Sequence, residues 1–356
     1  MRITPDADAE ELRAVVRDFL ARHTEHTRDP GLGWDPLIWQ RFAGELGAVA
    51  LDVPGESGGS GATFREVAVV AEELGRSLAR LPWFSTAVLG IGVLLHATGA
   101  AELREDLLAR LASGQVTATF APHGPARAER TGASGWRLGG TKSLVVEGAT
   151  ADFLFVTAET DYGPTLFHVD GTADGVVRTP VPAMDPSRQL ADISFTQAYA
   201  VPIGTPGEAA PVVERVLRRA TAALAGEQTG GAAAAMELAV RHAGTRLQFG
   251  RPIATFQAIK HRCADMAVEV EAARSASLWA AAAVAEDQKT TAAAVAAAAV
   301  VCGAAYRWVA AENVQVHGGI GFTWEHPAHL HVRRAATSAV LLGDGHREAL
   351  LEAIGV

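Results

Sequence analysis

Residues 208–286 would read as one unbroken alanine-rich helix were it not for Gly250 and Pro252. Glycine releases φ, while proline locks φ and removes an amide donor, so the helical run must stop and turn there. The spacing predicts a helix that ends near Phe249 with Arg246 in its last turn. A second helix then restarts around Thr255, a natural N-cap. A corner of this kind can hold a guanidinium, a carboxamide and an aromatic ring against one ligand. An ordinary helical hairpin with a solvated arginine satisfies the same spacing.

The periodicity changes twice along the 356 residues. Over residues 6–115 apolar positions recur at helical spacing: Leu12, Val15, Val16, Phe19 and Leu20 share one face, and Pro36–Leu46, Thr63–Leu78 and Ser85–Leu111 continue the pattern. The glycine-rich segment 53–61 lacks the Lys-Ser/Thr ending of a nucleotide loop and reads as a connector. Over residues 116–200 short apolar runs alternate with turn signals such as Gly139-Gly140, Gly163-Pro164 and Asp174-Gly175. Helical patterning returns in segments near 208–248, 255–286, 290–313 and 327–353. The predicted fold class is α+β multidomain. An N-terminal helical domain covers 1–115, a central small antiparallel β domain 116–205, and a C-terminal four-helix bundle 206–356.

Composition narrows the partners. Hydrophobic residues make up 49% and charged residues 20%, a globular balance. The net charge of -9 comes without a basic face, which excludes nucleic acid. The uncharged run Leu81–Ala101 is long enough to span a bilayer, but Pro82, Gly90, Gly92 and His96 interrupt it. It reads as a buried core helix, and no membrane partner is expected. The polar, acidic start Met1–Asp8 lacks signal-peptide character, so a cytoplasmic location is expected. Cys263 and Cys302 show no metal spacing. His326, His329 and His331 have only Glu325 beside them and read as surface or packing residues rather than metal ligands.

Two constellations carry chemistry. At the corner, Arg246 can bind a phosphate bidentately, Phe249 offers a stacking face, and Gln248 and Gln257 carry amides that both donate and accept. Near the C-terminus, Gln315-Val316-His317-Gly318-Gly319-Ile320-Gly321-Phe322 places three glycines where backbone can approach an anion. A structural turn explains that loop equally well.

Arg246-x-Gln248-Phe249-Gly250-x-Pro252-Ile253, followed by Phe256-Gln257 and Ala264-Asp265-Met266, resembles the acyl-CoA dehydrogenase family, as does the Gln315–Phe322 stretch. Glu72-Glu73-Leu74-Gly75-Arg76 and Trp136-Arg137-Leu138-x-Gly140-x-Lys142 fit the same family, and the resemblance covers the whole chain. It implies an FAD enzyme that oxidises an acyl-CoA, or another acyl thioester, to the 2,3-enoyl thioester. A carboxylate takes the α proton, hydrogen bonds polarise the thioester carbonyl, and the flavin accepts hydride from the β carbon. It also implies that Arg246, Gln248, Phe249, Gln257, Gln315, Gly318 and Gly319 hold the pyrophosphate and adenosine end of a neighbouring subunit's FAD. The implied partners are further copies of the chain or a related dehydrogenase subunit, with an electron-transfer flavoprotein as candidate electron acceptor.

The chain departs from the family where the chemistry should occur. The usual base precedes a glycine that matches Gly343, and that position holds Leu342. The alternative base position, on the helix before the corner, falls near Ala220. Glu227 lies roughly 10 Å further along the axis and suits an interface salt bridge or hydrogen bond instead. Asp344 is the nearest carboxylate to the usual site and is the candidate catalytic base. The family's Thr-Glu-Pro and Gly-Ser-Asp are replaced in Thr119–Ala126, and its flavin-facing Trp and Thr correspond to Leu144 and Val146. Three readings follow: a self-sufficient dehydrogenase, a base-lacking subunit of a hetero-oligomer, and a flavin-free scaffold of the same fold.

Overall fold

The structure, a computed structural model, describes residues 3–23, 33–132, 135–343 and 345–355. In chain order its helices and strands are α1 (Ala7–His23), α2 (Pro36–Gly44), α3 (Phe64–Ser77), a π-helical stretch (Phe84–Gly90) running into α4 (Ile91–His96), α5 (Ala101–Ala112), β1 (Ala118–Ala121), β2 (Ala126–Thr131), β3 (Gly135–Val146), β4 (Phe153–Thr160), β5 (Gly163–Asp170), β6 (Val176–Val181), β7 (Leu190–Pro202), α6 (Ala209–Thr245), β8 (Leu247–Gln248), β9 (Arg251–Pro252), α7 (Gln257–Ala285), α8 (Thr291–His317), α9 (Ala328–Ser338) and α10 (His346–Ala353). Helices thus flank a central β region, as expected. The chain forms two compact units: Met1–Pro30, Phe64–Ala79 and Thr221–Val356 make one, and Gly31–Thr63 and Arg80–Ala220 the other.

The first unit is a helical bundle set by a close crossing of α3 and α6. A Cβ on Gly75 would lie 1.9 Å from the carbonyl oxygen of Glu227, and one on Gly230 would lie 1.8 Å from that of Glu72. Backbone touches backbone, and each helix supplies the glycine that admits the other. This approach buries Glu72 and Glu73, whose charges must be met. Arg13 of α1 donates to Glu72 at 2.7 Å, Arg17 donates to Glu73 at 2.7 and 2.8 Å, and Arg274 of α7 also donates to Glu72. Alanines on α6 then pack with Met266 and Val270 of α7 and with Tyr306, Val309 and Ala310 of α8. Cys302 is buried in α8 and its Sγ donates to the Ala273 carbonyl at 3.3 Å; burial pushes the thiol up to about 12. One helical stretch among the described residues, Thr291–Phe322, is long and apolar enough to cross a bilayer by length and composition, and half of its most apolar window is buried in the protein.

The second unit is built on a small barrel. β4 pairs with β5, β5 with β7, β7 with β3, β3 with β2, and β2 returns to β4 through Arg127 and Glu159. Most pairings are antiparallel, while β1 and β2 run parallel to β4. Trp136, Leu138, Leu154, Val156, Phe167, Ile193 and Phe195 fill the interior. On the helical side of this unit, Trp39 donates to Gly114 O at 3.1 Å and Trp83 to Ala48 O at 2.7 Å, so two buried indoles are satisfied. Within Leu81–Ala101, Pro82–Leu94 is buried, as its composition suggests, and the segment leaves the core at Thr98–Ala101, which is exposed.

Several elements differ from the sequence reading. β2 is fully formed although Ala126–Thr131 has no apolar alternation; its pairing with β3 supplies what its own residues do not. The helix expected over 327–353 is broken into α9 and α10. α6 ends at Thr245 rather than near Phe249. Gln248 pairs with Arg251 across a two-residue turn in which Phe249 (φ 55°) and Gly250 (φ 78°) are both left-handed. Thr255 does not cap α7: it ends a short 3-10 turn and donates to Pro252 O at 2.8 Å, and α7 begins at Gln257 without a side-chain cap.

The glycine crossing gives a direct expectation. Gly230→Ala would force α3 and α6 apart and destabilise the first unit by about 3 kcal/mol. Denaturant unfolding followed by circular dichroism measures this; a variant with an unchanged midpoint would show that the helices have room there.

Candidate functional site

The three long helices of the bundle alternate in direction. The C-terminus of α6, the N-terminus of α7 and the C-terminus of α8 therefore meet at one end, where Ala243, Ile253, Ile259, Met266 and Val316 share a core cluster. The structure brings the predicted cofactor residues to this end. Arg246, Gln248, Phe249, Gln257, Gln315, Gly318 and Gly319 are all exposed, Phe249 to 91%. The hairpin turn explains Phe249: a left-handed residue at a tight turn points its ring into solvent. The ring meets Phe256 edge-on at 6.0 Å, and the Arg251 guanidinium sits 4.3 Å over Phe256. Among the described residues no carboxylate pairs with Arg246.

Gly318 follows α8 at φ 65° and ψ -145°, a conformation open only to glycine, and nothing lies within 4 Å of where its Cβ would be. Gly319 is equally open, so backbone is accessible at both positions. Gly321 differs: its Cβ would press on His317 and the Val314 carbonyl at 3.0 and 3.1 Å, so it packs the loop against α8. This end also holds a run of histidine contacts that the sequence does not announce. His242 of α6 and His317 of α8 stack at 4.2 Å, and His317 meets His326 at 4.2 Å. The available signal was position: His242 lies one turn before Arg246, and His317 lies inside the Gln315–Gly319 motif.

The second unit carries a cleft of about 960 Å3, lined by Pro122, Gly124, Lys142, Thr157, Val213 and Leu217 among others. Lys142 is 1% exposed and donates to Gly124 O at 3.0 Å, to Pro122 O at 3.4 Å and to Thr157 Oγ1 at 3.4 Å. It thereby pins the Pro122–Gly124 segment. Burial pushes its amine down to about 8, against the opposing pull of Glu159. Leu144 lies on a bulge at φ 54° and is exposed, whereas Val146 is buried.

The base positions hold no acid. Ala220 is fully buried and Leu342 is half-buried. Asp344 lies outside the described residues. Glu227 is buried and accepts from Arg334 of α9 at 3.1 Å, an ion pair within its own unit.

The fold and these motifs place the chain in the acyl-CoA dehydrogenase family, to which it belongs. Residues 6–115 match the acyl-CoA dehydrogenase N-terminal domain and residues 210–355 the acyl-CoA dehydrogenase C-terminal domain. The chain is 32% identical over 353 residues to the acyl-CoA dehydrogenase IpdE2 of Mycobacterium tuberculosis, covering 98% of this chain and 96% of that one. Among solved structures it is similar to the ChsE4-ChsE5 complex from Mycobacterium tuberculosis, with 29% identity and a TM-score of 0.89 over 100% of this chain and 98% of that one. A glutaryl-CoA dehydrogenase from Mycobacterium smegmatis, solved in complex with FADH2, shares the fold at 18% identity, with a TM-score of 0.90 over 98% of this chain and 95% of that one.

Lys142 yields a pH expectation. An amine held near 8 in the folded chain, against about 10.4 when free, binds fewer protons folded than unfolded between those values. Stability therefore rises with pH from about 8 to about 10, and below about 8 the full cost of burying the charge is present. Wild type should gain on Lys142→Met across that window in denaturant titrations; parallel curves would rule out the buried, lowered amine.

Proposed function

We propose that the chain is the cofactor-clamping, base-lacking subunit of a hetero-oligomeric acyl-CoA dehydrogenase that removes hydrogen from the α and β carbons of an acyl thioester. One contrast carries this reading. Seven cofactor-type residues are presented together at one end of the bundle, while Leu342 and Ala220 occupy both positions at which relatives place the base.

The exposed end fits the tail of FAD. The Arg246 guanidinium, with no carboxylate beside it among the described residues, suits a pyrophosphate oxygen pair. The first amides of α7 lack a side-chain cap, so the positive end of a 29-residue helix faces the same region. The bare backbone at Gly318 and Gly319 can approach the ligand closely, and Phe249 offers an apolar face. Gln248, Gln257 and Gln315 supply donors and acceptors for the adenosine. FAD, when bound, supplies the hydride acceptor for the β carbon. The α proton then goes to a carboxylate of the partner subunit, a related dehydrogenase chain. The ChsE4-ChsE5 complex, in which the neighbouring structure occurs, supports an assembly of this kind. Asp344 is the base if the chain acts as a homo-oligomer, and an electron-transfer flavoprotein is the proposed reoxidant in either case.

Purified alone, the chain should be colourless and inactive. Co-expressed with a related dehydrogenase subunit, it should give a yellow complex with fewer FAD than chains. A yellow homo-oligomer with one FAD per chain and turnover of an acyl-CoA would overturn the two-subunit reading; loss of that turnover in Asp344→Asn would then identify the base. In the complex, Arg246→Ala should weaken FAD binding about tenfold to a hundredfold, as expected for one charge-assisted contact. Fluorescence titration of the apo-complex with FAD reads this directly, and unchanged affinity would remove Arg246 from the clamp.

A further inference from the structure

We propose that His242, His317 and His326 form a proton-operated latch that holds the Gly318–Phe322 loop against the bundle, closed while the rings are neutral and released when they become charged. The stack joins three segments that nothing in the sequence links: the last turns of α6, the last turn of α8 and the approach to α9. Ring centroids are 4.2 Å apart in both contacts, with interplanar angles of 32° and 43°. His317 is the middle ring. It is 6% exposed, and its Nδ1 is 2.8 Å from Asn313 O, the carbonyl one turn back, which sets the ring's orientation. His326 Nδ1 accepts from the Ala328 amide at 3.2 Å, so that nitrogen is unprotonated in the closed arrangement. The loop between the second and third rings is packed onto the first of them through Gly321. The stack therefore fixes both ends of the loop and its middle.

The charges around the rings favour neutrality. Those acting on them are the rings themselves, Arg246 of α6 and His329 of α9; none is a carboxylate. Glu312 of α8 is taken by Arg262 of α7, Arg333 of α9 donates to His329 at 3.2 Å, and Glu325 beside His326 is exposed. Burial first, and for His242 and His326 mutual repulsion second, push these imidazoles below their usual range; the Asn313 carbonyl opposes the shift at His317 without reversing it. A base lowered on folding contributes stability that is whole above its free value, about 6.5, and is lost as pH falls below it. A first proton would place a charge about 4 Å from a second titratable ring in a partly buried site, and a second proton would drive the rings apart. The loop concerned carries the open Gly318 and Gly319 backbone. The latch goes beyond the cofactor reading and stands without it, because it acts on the loop whether or not a ligand is present.

Hydrogen exchange of the unliganded chain tests this. Between about pH 7.5 and about pH 5.5, protection of amides 318–326, corrected for intrinsic rates, should fall severalfold in wild type. In His317→Phe, which keeps an aromatic ring between His242 and His326 but cannot take a proton, the fall should be clearly smaller than in wild type. His326→Phe provides the same comparison should the middle substitution not fold, and imidazole NMR of wild type follows the rings directly. Equal pH dependence in wild type and variant, or rings that titrate at ordinary histidine values, would overturn the latch.

Discussion

The backbone contact between α3 and α6 is the constraint from which the first unit follows. Helices this close leave no room for side chains at the crossing, so Gly75 and Gly230 are required there and alanine dominates the adjoining surface of α6. The same approach draws Glu72 and Glu73 out of water. Their burial is tolerated because Arg13, Arg17 and Arg274 arrive from two other helices, which locks α1 and α7 onto α3. Packing and charge thus specify one arrangement: the crossing determines where the carboxylates sit, and the carboxylates determine which arginines must reach them. With α6 and α7 held in this way, their shared end can present exposed polar groups without being stabilised by them.

What the sequence made legible is local, and what it hid is long-range. Gly250 and Pro252 announce a turn because φ freedom and a missing donor act within a few residues, and the turn is there. Its hairpin form was not legible, since the Gln248–Arg251 pairing depends on the left-handed Phe249 as well as on the glycine. β2 was invisible because Ala126–Thr131 owes its extended form to β3. Gly75 reads in sequence as a motif residue, yet its physical reason lies on α6. The stack of His242 and His317 joins two helices separated by a third, and no spacing rule reaches across such a gap. The candidate cofactor residues were legible through family resemblance rather than periodicity, and the structure adds that they are gathered and exposed.

The second unit separates a filled interior from a less constrained rim. The barrel closes through five strands, and its interior is apolar and well filled. Lys142 ties down a short Pro122–Pro125 loop, Leu144 stands exposed on a bulge, and Val146 turns inward. Of these three positions only Leu144 is exposed and free to vary at little cost to the fold, whereas Lys142 and Val146 are buried.

The same reasoning bears on the missing base. A carboxylate placed to take a proton from carbon must be desolvated yet unpaired, a costly condition that persists only where chemistry requires it. In this chain, one family base position is a fully buried alanine, the other is a half-buried leucine, and the nearby Glu227 is neutralised by Arg334. Each is the cheaper, stabilising choice. The opposite holds at the bundle end, where Phe249 is 91% exposed, Gly318 adopts a glycine-only conformation and Arg246 lacks a carboxylate partner among the described residues. These features cost stability in the isolated chain and gain their reason from something that covers them. A buried alanine and an ion-paired glutamate need nothing further, whereas an open glycine backbone and an exposed aromatic ring leave groups that a ligand or partner would satisfy.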